Sequence, residues 1–334
     1  MTLLKNQKNV EIITGTSHPA LVQAISNFLH LPVRPAVLKP FKDGEVHVQI
    51  QSNVRRKHVI IIQSLCRPDV NRYVIELELM IQAAKLASAN EITTIIPYFG
   101  YGRQDRKDQP RVPISGAWTA QKLAFAGADR LCTIDIHNEA MEGVVLNVPW
   151  DNLFASYTFV PIIRKLKLPN LMIASPDAGG VKRAIKYSEL LGLGENVAVA
   201  SKYRNPNVKD ESKIIGLDAD IKGKDIVIVD DLINTGKTLT EPAKIMKKMG
   251  ARSIRAFVTH GLLVGNAKEL LNKSTLDEIY ITDTVPPPEW IKECPKIKVI
   301  SVAPLLAGAI ERIETGESIS DRFILQLQLG KNTK

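Results

Sequence analysis

Aromatic residues make up only 5% of the 334-residue chain. That is little material for the base-stacking platforms on which single-strand nucleic-acid binders rely. The net charge of +9 therefore does not argue for nucleic acid on its own, since nucleotides and sugar phosphates suit it equally. The densest basic run, Arg55-Arg56-Lys57-His58, lies between two strand-like segments and reads as a solvated turn, so no nucleic-acid partner is expected. Cysteine is scarce too. Cys66, Cys132 and Cys294 are far apart and form no CxxC pair, which excludes a zinc-ligand pattern and a disulfide framework and suits buried thiols in a reducing compartment. No apolar run approaches the roughly 18 residues of a membrane helix, and the polar start MTLLKNQKNV lacks the apolar stretch of a secretory signal. The expectation is a soluble, cytoplasmic protein with no membrane partner.

Short β-branched runs alternate with amphipathic stretches of helical length. VEIIT, VHVQI, HVIIIQ, ITTII and LCTID fall in the first half; LMIAS, DIVIVD, SIRAFVT and IKVIS fall in the second. This is an α/β pattern with mainly parallel sheets. Helices are expected over Asn71–Ala87, where Val74, Leu77, Ile81 and Ala84 share a face, and over Ser115–Ala126. The length suits two domains. The division is placed near Pro149–Asn152, after the strand-like VVLNV and before a helix starting around Leu153, giving domains 1–150 and 151–334. A weak echo between RLCTIDIHNEAMEG and DIVIVDDLINTGKT is compatible with a duplicated fold. Two long polar loops, Gly100–Pro113 and Lys202–Lys213, are of the kind that carry function.

The most informative segment is DIVIVDDLINTGKTLTEPAKIMKKMG, residues 225–250. It reads as a buried strand, a tight loop and a helix in succession. Thr238 and Glu241 form a capping-box pattern, Pro242 fits a first turn and Gly250 a helix end. Asn234, Thr235, Gly236, Lys237 and Thr238 are thereby delivered to a helix N-terminus, where unpaired N–H groups and the helix dipole favour phosphate. A Walker A loop is excluded, because GxxxxGK[ST] demands glycine where this chain has Asp231. Asp230 and Asp231 at the strand's end can accept hydrogen bonds from vicinal hydroxyls. With the phosphate cradle they describe a ribose-phosphate pocket, at the edge of a parallel sheet where ligands bind; the plainer reading is that one Asp caps the turn.

This segment resembles the phosphoribosyl-diphosphate loop of type I phosphoribosyltransferases and ribose-phosphate diphosphokinases. PFKDGEVHVQI, IIPYFGYGRQDRK, TIDIHNEAMEGV, SPDAGG and SKYRNPN are similar to ribose-phosphate diphosphokinase segments, in the family's order and over nearly the whole chain. The resemblance implies two tandem phosphoribosyltransferase-like domains, each a mainly parallel sheet flanked by helices, with the final segment packing back on the first domain. It implies transfer of diphosphate from ATP to ribose 5-phosphate with Mg²⁺. Phe41, Asp43 and Glu45 would hold adenine from a neighbouring subunit, and Arg103 and Gln104 would contact ATP. His137 and Asp177 would lie around Mg²⁺, and Asp230, Asp231 and residues 234–238 would bind the sugar phosphate. Lys202 and Arg204 would be the catalytic basic pair.

Judged from the residues alone, Phe41–Glu45 is a turn entering a strand, His137 a histidine at a strand end and the Lys202 pair two solvated cations. Asp135 would project to the same side as His137 in an extended segment. The chain departs from the family pattern at Asn234, where Asp is usual, and at Ala140, Glu142 and Val144-Val145 in the metal loop. The tail Glu317–Phe323 and Arg55 match segments where phosphate-regulated members bind effectors between subunits, and a dimer-based homo-oligomer, up to a hexamer, is implied. The alternatives are a non-catalytic regulatory member of the family and a phosphoribosyltransferase.

Overall fold

A computed structural model describes residues 9–204 and 212–319, with the backbone alone for 201–204 and 212–217. The middle of the Lys202–Lys213 loop and the tail beyond Ile319 lie outside the described residues. The chain forms two compact units. Unit 1 runs through Phe154 and also takes Thr284–Pro286 and Ser301–Ile319; unit 2 takes Ala155–Asp283 and Pro287–Ile300.

Unit 1 contains β1 (Val10–Thr14), α1 (Pro19–Leu29), β2 (Val33–Arg34), β3 (Ala36–Pro40), β4 (Val46–Ile50), β5 (His58–Ile62), α2 (Val70–Leu86), β6 (Glu91–Ile96), α3 (Ser115–Ala126), β7 (Arg130–Ile134) and β8 (Trp150–Leu153). Six strands form a parallel sheet in the order β2-β1-β5-β6-β7-β8. Ile12, Ile13, Ile60 and Ile61 are buried in it. Such continuous apolar runs are what a sheet covered on both faces requires. Helix α2 buries the expected face, Val74, Leu77, Ile81 and Ala84, and the Asp69 side chain caps it by accepting the Arg72 N–H. Helix α3 ends where Gly127 takes a left-handed φ of 114°.

Unit 2 contains α4 (Ser156–Lys165), β9 (Leu171–Ser175), α5 (Val181–Leu191), β10 (Ala198–Arg204), β11 (Ser212–Leu217), β12 (Asp225–Ile233), α6 (Lys237–Lys248), β13 (Ser253–Gly261), α7 (Ala267–Asn272), β14 (Glu278–Thr282) and β15 (Ile297–Ile300). Its sheet is ordered β11-β10-β9-β12-β13-β14-β15, and every pairing except β10 with β11 is parallel. Helix α8 (Ala303–Thr315) returns to unit 1. There Glu314 lies 2.5 Å from His58 Nδ1.

The two parallel arrays share one topology: β2-β1-β5-β6-β7-β8 and β10-β9-β12-β13-β14-β15 follow the same order. The duplication is therefore of whole sheets. The echoing segments are not equivalents within it, because β12 takes the place of β5 while β7 takes that of β14.

Three local expectations are corrected. VHVQI is not part of a parallel sheet; as β4 it pairs antiparallel with β3, and its alternating exposure suits a strand covered on one face. VVLNV is not a strand either. A 3-10 turn spans Glu139–Val144 and the next strand is β8, which pairs with β7 and carries the unit boundary past Phe154. The basic run is only half solvated, since Lys57 joins Arg34 in pairing with the buried Glu11.

Candidate active site

In unit 2 the strand order reverses between β9 and β12: the chain leaves β9 for β10 on one side and β12 for β13 on the other. A crevice opens at the carboxyl ends of strands at such a switch point. β9 pairs with β12 only as far as Ala174 with Ile228, whereas β12 continues along β13 to Ile233. Asp230 and Asp231 therefore lie within β12, beyond the end of its pairing with β9, rather than at the strand's last residue.

The Asp230 carboxylate accepts the Asp231 N–H at 2.9 Å. Burial first, then the neighbouring charge of Asp231, pushes the Asp230 carboxyl well above the usual carboxylate range; Arg183 opposes this and Asp177 adds to it. The Arg183 guanidinium lies 3.5 Å from Asp230 and 3.3 Å from Asp231. No sequence motif of the site contains Arg183. The available signal was a cation in the first turn of a helix, where the dipole disfavours it.

Across the crevice, Asp177 follows β9 and caps a 3-10 turn, its carboxylate accepting the N–H groups of Gly179 and Gly180. Lys202 and Arg204 were expected in a loop, but their backbone belongs to β10, paired with β11. The register shifts between Ser201 and Lys202, and a bulge of this kind often redirects a strand beside an active site. Beyond Val199, which pairs with Ser175, β10 extends past β9 on the sheet edge that carries Asp177.

Asn234, Thr235 and Gly236 form the loop after β12, and Gly236 is the cap of α6 at φ 90°. The helix starts at Lys237, earlier than the capping-box reading of Thr238 implied. The N–H groups of Leu239 and Thr240 both reach the Gly236 carbonyl, and no side chain caps the end. Pro242 consequently sits inside the helix and gives the Thr238 carbonyl no N–H partner. At the other end Gly250 adopts φ 90°, and the Ala251 N–H reaches back to Met246, the expected glycine stop. First-turn N–H groups have no partners within a helix, so residues 236–238 present donors to an anion.

The segment after β13 backs this loop. Leu262 and Leu263 donate to Ile233, and Val264 donates to Asn234. A Cβ on Gly236 would come within 2.9 Å of buried Leu271 Cδ2. Gly236→Ala is expected to cost roughly 1–3 kcal/mol through the left-handed backbone and the clash, read as a lower denaturation midpoint with an unchanged slope.

In unit 1, Phe41, Asp43 and Glu45 occupy the tip between β3 and β4. Phe41 exchanges bonds with the turn, its N–H to Glu45 and its carbonyl from Gly44, and the Asp43 carboxylate accepts the Glu45 N–H. All three side chains are exposed, and the Phe41 ring is 5.4 Å from His47. Arg103 and Gln104 follow β6. Arg103 is exposed, while Gln104 is pinned to the start of α3, its side chain accepting from Ser115 Oγ at 2.6 Å. His137 follows the neighbouring strand β7, and Asn138 donates to Asp105, linking the two loops. Asp135 has φ 40° and is buried, whereas His137 is exposed; the left-handed residue departs from the extended backbone that the alternation assumes. Among the described residues no three His, Cys, Asp or Glu side chains could hold a metal together.

Unit 1 has the equivalent switch point, between β1 and β5, and fills it with its own side chains. Glu76, 0% exposed, accepts from the Thr16 N–H and hydroxyl, the Gln63 amide and Arg72. A Cβ on Gly15 would strike Gln63 at 2.2 Å. Among the described residues, only the unit 2 crevice sets a carboxylate pair beside a loop at a helix N-terminus.

The family model described as the N-terminal domain of ribose phosphate pyrophosphokinase matches residues 10–127, and the phosphoribosyl synthetase-associated domain matches residues 194–324. The ribose-phosphate pyrophosphokinase of Wolinella succinogenes is 42% identical over 95% of this chain and its own full length. Ribose-phosphate pyrophosphokinase A of Dictyostelium discoideum is 42% identical over 94% of this chain and 98% of its own. The crystal structure of phosphoribosylpyrophosphate synthetase from Mycobacterium smegmatis superposes with a TM-score of 0.85 at 32% identity, covering 92% of this chain and all of that one.

Proposed function

Because the chain belongs to the ribose-phosphate pyrophosphokinase family, we propose that it makes 5-phosphoribosyl 1-diphosphate by moving the β,γ-diphosphoryl group of ATP to ribose 5-phosphate. The observation that carries the reading is the unit 2 crevice, where Asp230 and Asp231 adjoin the Gly236 loop at a helix N-terminus. The 5-phosphate is bound by Asn234, Thr235, Gly236, Lys237 and Thr238, and the ribose hydroxyls are accepted by Asp230 and Asp231. The C1 hydroxyl oxygen attacks the β-phosphorus in line. An O1–Pβ bond forms, the bond from Pβ to the α,β-bridging oxygen breaks, AMP departs with that oxygen, and the hydroxyl proton passes to solvent.

ATP is held by Arg103 and Gln104, and its adenine by the Phe41, Asp43 and Glu45 turn of a neighbouring subunit, so the enzyme works as a dimer-based homo-oligomer. The exposed turn supports that arrangement. A guanidinium such as Arg103 can pair with phosphate or stack on a base. Lys202 and Arg204, on β10, stabilise charge that develops on the transferring and leaving oxygens.

His137 and Asp177 are the side chains proposed for Mg²⁺. Asp177 offers the carboxylate oxygen that Mg²⁺ prefers, and His137 would act through the ion's retained water, since Mg²⁺ is held by oxygen ligands, substrate phosphates and water. Bound there, Mg²⁺ would neutralise and orient the diphosphate. The three cysteines are free and buried, no helix among the described residues is long and apolar enough to cross a membrane, and the proposed setting is the cytoplasm.

The acceptor supplies the test. ATP turnover should require ribose 5-phosphate and should vanish with methyl riboside 5-phosphate, whose C1 oxygen is blocked. Equal turnover with the blocked sugar would contradict the proposed attack.

A further inference from the structure

We propose that Arg183 is a positioning residue for the ribose diol, its guanidinium holding the Asp230 and Asp231 carboxylates as paired acceptors. The inference rests on the reading of the unit 2 crevice as the ribose 5-phosphate site, and adds a residue that the motifs of that site do not contain.

Arg183 is the third residue of α5. A cation in the first turn opposes the helix dipole, so its position needs a compensating partner, and the two carboxylates at 3.3 and 3.5 Å provide it. Those distances exceed a tight hydrogen bond. Arg183 thus acts chiefly through charge, and the contact can adjust when hydroxyls arrive.

The surroundings make room for this side chain. A Cβ on Gly180 would strike Ser175 Oγ at 2.7 Å, so the turn after Asp177 packs closely on β9, while its 3.9 Å approach to Arg183 Nη1 would be an ordinary contact that leaves the guanidinium unhindered. Asp230 and Asp231 are adjacent in one strand and both largely buried. Two carboxylates so placed resist being ionised together, and a shared cation offsets that repulsion. Arg183 draws both carboxylates toward one guanidinium and opposes the burial and mutual charge that raise the Asp230 carboxyl. Without it nothing holds the two side chains toward a common point, and recognition of a vicinal diol by the pair weakens.

The experiment titrates ribose 5-phosphate, without ATP, into the full-length protein and its Arg183→Met and Arg183→Lys variants, with thermal melts to confirm folding. A second probe, tetrahydrofurfuryl phosphate, carries the phosphate and ring but no diol. Arg183→Met should weaken ribose 5-phosphate binding by about tenfold or more. Arg183→Lys should recover part of the loss, and the diol-free probe should bind all three proteins alike.

Unchanged ribose 5-phosphate affinity in a folded Arg183→Met protein would overturn the inference. So would equal losses for both probes, which would mean that Arg183 serves the phosphate or the fold. If Arg183→Met does not fold, the same comparison in Arg183→Lys decides: a loss confined to ribose 5-phosphate supports the inference, and equal behaviour of the probes overturns it. Failure of the parent protein itself to bind ribose 5-phosphate would remove the reading of the crevice, separately from any role of Arg183.

Discussion

Lys202→Ala is expected to lower turnover by about a hundredfold or more while leaving affinity for ribose 5-phosphate within a few fold. The expectation follows from where charge changes during the reaction. In the proposed complex, ribose 5-phosphate in its ground state is satisfied by the loop after β12 and the carboxylate pair of β12. The charge that shifts onto the transferring diphosphate and the departing AMP oxygen arises only in the transition state, so a cation aimed there raises kcat without tightening substrate binding. β10 brings Lys202 past the end of β9, on the edge that bears Asp177, immediately after a shift in register. A residue that merely tied β10 to β11 would alter the melting temperature and spare kcat. Single-turnover kinetics with saturating ATP separate the two, and a loss of less than a few fold would remove Lys202 from the catalytic step.

Glu76→Ala is expected to cost about 3–5 kcal/mol of stability, a large share of the 5–15 kcal/mol typical of a folded domain. The buried carboxylate bonds the Thr16 hydroxyl at 2.6 and 2.8 Å, the Thr16 N–H at 3.2 Å, and Gln63 and Arg72 each at 2.9 Å. Truncation leaves these donors without an acceptor, and buried donors are expensive to strand. Glu76→Gln keeps the volume but turns an amide N–H toward donors, so it should fall between the parent and the alanine variant. Denaturant unfolding followed by a probe in unit 1 checks this, and a change below about 1 kcal/mol would show that the side chains of the β1–β5 crevice do not depend on Glu76.

The same residue bears on how two sheets of one topology differ at their switch points. In unit 2 the switch point is lined by a glycine turn, a carboxylate pair and a helix N-terminus, which suit a phosphorylated sugar. In unit 1 the corresponding loops bond to each other through Glu76 and Gln63, so a carboxylate from the protein occupies the donors. The loop after β5 serves the fold further: Ser64 donates to the Thr284 carbonyl and Arg67 to that of Pro286.

Much of this was legible from local patterns. The DIVIVD run, the Gly236 turn and the Gly250 stop identify strand, loop and helix because each depends on residues close in the chain. The apolar spacing of Val74, Leu77, Ile81 and Ala84 did the same for α2. Other features depend on contacts between distant segments and had no local signal. Thr16 is bonded by Glu76, and Arg183 meets a carboxylate pair on β12; neither pairing repeats at a helix or strand period.

The start of α6 is two residues earlier than the capping box implies because a threonine–glutamate spacing satisfies that pattern equally well from the second residue of a helix. VVLNV has strand composition but follows a 3-10 turn and forms no strand, while WDNL, with little strand character, pairs with β7. The Lys202 pair was assigned to a loop on polarity alone, although its backbone extends the sheet.

The most direct test of the central claim is the identity of the nucleotide formed when the purified protein turns over ATP with ribose 5-phosphate and Mg²⁺. Diphosphoryl transfer predicts AMP in amounts equal to the sugar consumed and no AMP without the sugar. Formation of ADP instead would mean that only the terminal phosphoryl group moves, and would contradict the account.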